Sequence, residues 1–77
     1  MKKVEIYSTA TCHFCHLAKE FFATNSIPFT DYNVGTDLEK RKEMVERSGQ
    51  LGVPVIVIDG KDVVIGFDKE ALTKILL

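Results

Sequence analysis

The sequence holds only two cysteines, Cys12 and Cys15, and they stand three positions apart. A disulfide across so tiny a loop constrains the unfolded chain little, so the pair is a poor structural staple. A basic excess is missing too. Lys and Arg total 10 against 11 Asp and Glu, a net charge of −1, which provides nothing for holding a nucleic acid. No block of like charge suggests a disordered tail. The longest apolar run, Val53 to Ile58, is far too short to cross a bilayer. The basic start Met1-Lys2-Lys3 leads into Glu5 and Tyr7 instead of the apolar core of a signal peptide. The expectation is a cytoplasmic chain with no membrane or nucleic-acid partner. Repeats, linkers and low-complexity stretches are also lacking, and 77 residues, 45% of them hydrophobic, suit one small domain over residues 1–77.

What is present is a series of short strand and helix signals. Val4-Glu5-Ile6-Tyr7 alternates as a strand does. From His13 to about Asn25 the period is helical, with Leu17 and Phe21, and Ala18 and Phe22, paired at i,i+4; Ile27-Pro28 stops it. Phe29 to Val34 reads as a second strand. Thr36 and Glu39 have the spacing of a capping box, opening a helix with Leu38, Met44 and Val45 as its apolar face and Gly49 as its stop. Val55 to Ile58 is continuously apolar, as expected of a strand covered on both faces. Asp59-Gly60 turns it into a partner, Val63 to Ile65. Asp68 then caps a last helix carrying Leu72, Ile75 and Leu76. The order is strand, helix, strand, helix, strand, strand, helix. A βαβ unit with parallel strands followed by an antiparallel hairpin implies helices covering a mixed four-stranded sheet.

Both cysteines and both histidines fall in residues 11–16, Thr-Cys-His-Phe-Cys-His. Three chemistries use such a pattern: a redox dithiol, a covalent haem attachment site, and a compact metal site. Its place, directly after the first strand where the first helix begins, favours the dithiol. A helix N-terminus exposes unpaired amides and partial positive charge, which stabilise a thiolate at Cys12. Cys15, one turn on, faces the same side. Cys12 is then the attacking sulfur and Cys15 the resolving one. Haem on Cys12, Cys15 and His16 would need export and a distal ligand. Zinc needs four ligands around it, and four from one helical turn can hardly surround an ion. His13 can stabilise a neighbouring thiolate when protonated, whereas His16 reads as a partly exposed first-turn side chain.

With strand, Cys-x-x-Cys and helix in that order, Val53-Pro54 before the third strand, and Gly66-Phe67-Asp68 after the hairpin, the whole chain resembles the glutaredoxins. The resemblance implies an α/β thioredoxin (glutaredoxin-like) fold, βαβ-α-ββα, with three helices flanking the mixed four-stranded sheet. It also implies a cis Val53-Pro54 bond beside Cys12, and substrate or glutathione held by Thr11, Phe14, Val53, Pro54, Gly66, Phe67 and Asp68. The activity implied is thiol–disulfide oxidoreduction of protein or glutathione mixed disulfides. It further implies glutathione as co-substrate, no permanently bound cofactor, no metal, and a monomeric chain. Some family features are missing. His13 stands where the family usually has Pro, Thr9 where it usually has Lys, and Gln50-Leu51-Gly52 carries no basic residue before Val53. Those cations would pair with a glutathione carboxylate; Arg47 is the nearest substitute. Their loss points to an alternative donor, a flavoprotein thioredoxin reductase, in a protein supplying electrons to ribonucleotide reductase. A further alternative is an iron–sulfur or metal carrier using Cys12 from two chains, and another is an adaptor with idle cysteines.

Overall fold

The computed structural model describes residues 2–77. Seven elements follow the expected order: β1 (Val4–Ser8), α1 (His13–Thr24), β2 (Thr30–Asn33), α2 (Leu38–Ser48), β3 (Val55–Ile58), β4 (Asp62–Ile65) and α3 (Lys69–Leu76). They build one sheet in the order β2-β1-β3-β4. β1 runs parallel to β2, with Ile6 opposite Asp31 and Ser8 opposite Asn33. It runs antiparallel to β3, which pairs antiparallel with β4.

Strand alternation divides the buried side chains between two layers. Val4, Ile6, Ile56, Ile58 and Val64 meet Ala18, Phe21 and Phe22 of α1 and Leu72 of α3. On the opposite face, Tyr7, Val55 and Val57 pack with Val34 and with Met44 of α2. β3 is buried at every position, as its unbroken apolar run requires. β1 is also buried throughout, although its sequence alternates. Its polar Glu5 therefore sits inside, only 3% exposed. That burial is tolerable because both carboxylate oxygens are occupied. Tyr32 donates to Oε2 at 2.8 Å and Arg47 donates to Oε1 at 3.0 Å.

The turn chemistry explains the connections. Asp59 and Gly60 both have positive φ, 55° and 71°, the backbone of a tight hairpin turn. Gly49 ends α2 in the left-handed conformation with φ 75°. Three expectations need correction. The cap of α2 is Asp37, whose Oδ1 accepts from the Lys40 amide at 3.1 Å; Thr36 instead turns its hydroxyl to the Asn33 carbonyl. With the helix starting one residue later, Leu38 is its first residue and lies 69% exposed, off the apolar face assigned to it. The second strand is also shorter than expected, running Thr30–Asn33 without Phe29 and Val34, although the Val34 amide still donates to the Ser8 carbonyl at 2.9 Å.

Candidate active site

β1 delivers the chain to a loop, residues 9–12, that α1 immediately follows. Cys12 is the N-cap of α1, in extended conformation at φ −86° and ψ 113°. Its Sγ accepts a hydrogen bond from the Cys15 amide at 3.2 Å. A sulfur thus occupies the position where a serine or aspartate oxygen commonly satisfies a free helix amide. Cys12 is half-buried and Cys15 fully buried, and both are free thiols. The Cys15 thiol is pushed up to about 12, first by burial and then by its hydrogen bond with Cys12. It keeps its proton at neutral pH while Cys12 faces the surface. The expected division between an accessible sulfur and a covered one is what the geometry presents.

The histidines separate as well. His16 reaches back from Nε2 to the Ala10 carbonyl at 3.0 Å. A carbonyl only accepts, so the proton resides on Nε2 and the ring ties α1 to the loop before Cys12. His13 is exposed and packs edge-on against Phe14, with ring centroids 5.5 Å apart. Among the described residues no group of three or more His, Cys, Asp or Glu side chains is arranged to hold a metal ion.

Next to the cysteine loop lies a cleft of about 470 Å3 lined by Phe14, Val53, Pro54, Ile65, Gly66, Phe67, Asp68 and Lys69. Six of the seven residues expected to meet substrate line it; Thr11 does not. The Val53-Pro54 bond is cis. The Gly66 amide donates to the Pro54 carbonyl at 2.8 Å, fastening the end of β4 to this loop. Gly66 has φ 76°, a conformation that a side chain would strain even though no atom crowds the position. Asp68 caps α3, its Oδ1 accepting from the Ala71 amide at 3.0 Å. Ile65 and Lys69 were not anticipated as lining residues. Lys69 could have been noticed, since it is the first residue of α3 beside a motif already singled out. A second groove of about 450 Å3, between α1 and α3, lacks Pro54; neither cysteine lines either hollow.

Arg47 does not serve the cleft. Its guanidinium is paired with Glu5 at 3.0 Å and Glu43 at 3.6 Å. Lys69 is the single cation among the cleft-lining residues.

A parallel βαβ unit joined to a hairpin, with a half-exposed sulfur capping a helix over a buried one and a cis-proline loop nearby, defines a dithiol redox protein of the thioredoxin fold. The comparisons with known proteins narrow this. A family model described as Glutaredoxin matches residues 4–63. The chain is 44% identical over 73 residues to an uncharacterized glutaredoxin-like 8.6 kDa protein of a rubredoxin operon in Clostridium pasteurianum, covering 95% of this chain and 96% of that one. It is 38% identical over 63 residues to glutaredoxin 3 of Escherichia coli K12, covering 82% and 76%. Among solved structures, the thioredoxin-like protein BC3987 superposes with a TM-score of 0.88 at 32% identity, covering 95% of this chain and 99% of that one. The protein belongs to the glutaredoxin family.

Proposed function

We propose that this protein is a cytoplasmic thiol–disulfide oxidoreductase that reduces protein or glutathione mixed disulfides through Cys12 and Cys15. The carrying observation is the unequal exposure of two sulfurs joined by one helical turn, with the Cys15 amide on Cys12 Sγ. In the first exchange the Cys12 thiolate attacks a substrate disulfide. One substrate sulfur leaves as a thiol and the other stays bonded to Cys12. In the second, Cys15 loses its proton and attacks Cys12, so the Cys12–Cys15 bond forms as the Cys12–substrate bond breaks. The substrate gains two electrons, and an external thiol donor restores the dithiol.

Val53 and Pro54 with Gly66, Phe67 and Asp68 form the shelf for an extended substrate, whose backbone pairs with the loop as an added strand does. Cys12→Ser should abolish disulfide reductase activity, and Cys15→Ser should accumulate a mixed disulfide on Cys12. A Cys12→Ser protein that keeps full turnover would overturn the assignment.

Glutathione is the proposed electron donor. A flavoprotein reductase is the second reading, and the pairing of Arg47 with two carboxylates supports it. Glutathione brings two carboxylates, and the cleft offers only Lys69 and the N-terminus of α3 to meet them. Turnover with glutathione and glutathione reductase, measured against turnover with thioredoxin reductase, separates the two donors.

A further inference from the structure

The second exchange asks Cys15 to give up a proton from a fully buried position. In the resting dithiol, burial, the hydrogen bond with Cys12 and the electrostatic interaction with Cys12 all hold that proton in place; the Thr9 backbone and the Lys19 charge oppose them. Once Cys12 is bonded to substrate it carries no charge, and its hold on the Cys15 proton lapses. Burial alone then remains against Thr9 and Lys19.

Lys19 is placed for this. It lies four residues after Cys15 on α1, which puts the two on one face of the helix. It is also the only Lys or Arg between Lys3 and Lys40. Its ammonium does not wander. Nζ is 2.6 Å from Asp31 Oδ2 on β2, and Asp31 Oδ1 accepts from the buried Ser8 hydroxyl at 2.6 Å. Ser8 ends β1, the strand that leads into the cysteine loop. Three elements therefore hold one cation on the helix face that carries the resolving sulfur, one turn further on. The groups acting on Cys15 are Cys12 from the helix cap, Lys19 from its own helix with Asp31 of β2 behind it, and the Thr9 backbone. As a source of stability the Lys19–Asp31 pair is minor, since the two side chains are 25% and 36% exposed.

We propose that Lys19, clamped by Asp31 and Ser8, is a positioning residue for the resolving step, supplying the fixed positive charge against which Cys15 sheds its proton as it attacks Cys12. The proton passes to the departing substrate thiolate, and Lys19 itself neither gains nor loses one. The proposal rests on the two-cysteine route above.

The test begins without substrate. In a Cys12→Ser background Cys15 is the sole thiol, and its 13Cβ chemical shift followed against pH reports its ionisation. Lys19→Gln should move that midpoint up by about half a pH unit or more, equivalent to about threefold less thiolate. Lys19→Arg should restore it. In the two-cysteine protein, rapid-quench release of substrate from the preformed mixed disulfide should slow about threefold in Lys19→Gln, with the pH–rate profile displaced to higher pH by the same interval. Formation of the mixed disulfide should be unaffected. An unchanged Cys15 midpoint in Lys19→Gln, or a slowed release that arginine does not rescue, would overturn the proposal. Because the titration involves no substrate, a failure of the reductase assignment remains distinguishable from a failure of the role given to Lys19.

Discussion

Replacing Arg47 by Met isolates the one buried carboxylate of the sheet. Glu5 is 4% exposed at its side chain, and its two donors are Tyr32 and Arg47. Removing one partner of a buried ion pair costs ~3–5 kcal/mol when the remaining charge is wholly uncompensated. Arg47 is itself 33% exposed and the Tyr32 hydrogen bond survives, so the expected loss is smaller, about 2 kcal/mol. For a domain of this size that lowers Tm by about 10 °C. The pH dependence gives the sharper test. Burial raises the Glu5 carboxyl, but the hydrogen bonds from Tyr32 and Arg47 and the Arg47 charge outweigh it and leave it below its ordinary 4.5. A carboxyl depressed in the folded state stabilises above 4.5, and that contribution is lost as the pH falls through the folded value. Without Arg47 the burial penalty is less opposed, and Glu5 takes up its proton at higher pH. The gap between the two proteins should therefore be widest near neutrality and close in acid, where a protonated Glu5 needs no cation. Urea unfolding followed by circular dichroism at several pH values measures it. A gap that stays constant down to about pH 3 would refute the reasoning.

Three other substitutions test separate parts of the structure. Phe22→Ala, at a fully buried ring in the layer between α1 and the sheet, should cost ~3–5 kcal/mol, read by chemical denaturation. Gly66→Ala meets no neighbouring atom, so only the left-handed backbone is penalised; the expected loss is about 1 kcal/mol, and a neutral outcome would show that the turn relaxes. Asp68→Ala removes the cap of α3 and should cost about 1 kcal/mol, with faster amide exchange at Ala71.

Local signals in the sequence carried most of the architecture. The apolar run Val55–Ile58, the Asp59-Gly60 turn and the Gly49 stop each express a backbone requirement of a few neighbouring residues, and each stands where expected. The cap of α2 was less legible, because Thr36 and Asp37 can both accept a helix amide and only the tertiary fit chooses between them. In the candidate site, the cysteines were readable from their spacing at a helix start, and Val53-Pro54 and Gly66-Phe67-Asp68 from the resemblance to the glutaredoxins. The charged pairs were not. Glu5 meets Arg47 across 42 residues, and Ser8 meets Asp31 across 23. Those contacts depend on strand register and on how α2 lies over the sheet, which no local pattern encodes. Nothing in the alternation of β1 marks Glu5 as buried, and only the partners brought by β2 and α2 explain its place inside.

The first turn of α1 is secured by the more accessible of the two sulfurs. A thiolate is a strong acceptor for the Cys15 amide, whereas a sulfur bonded to another sulfur is a weak one. If Cys12 and Cys15 cycle as proposed, the start of the helix slackens on oxidation and retightens on reduction, and the electron content of the protein is registered in its backbone. A partner that grips this end of α1 could tell the loaded form from the empty one without touching either sulfur.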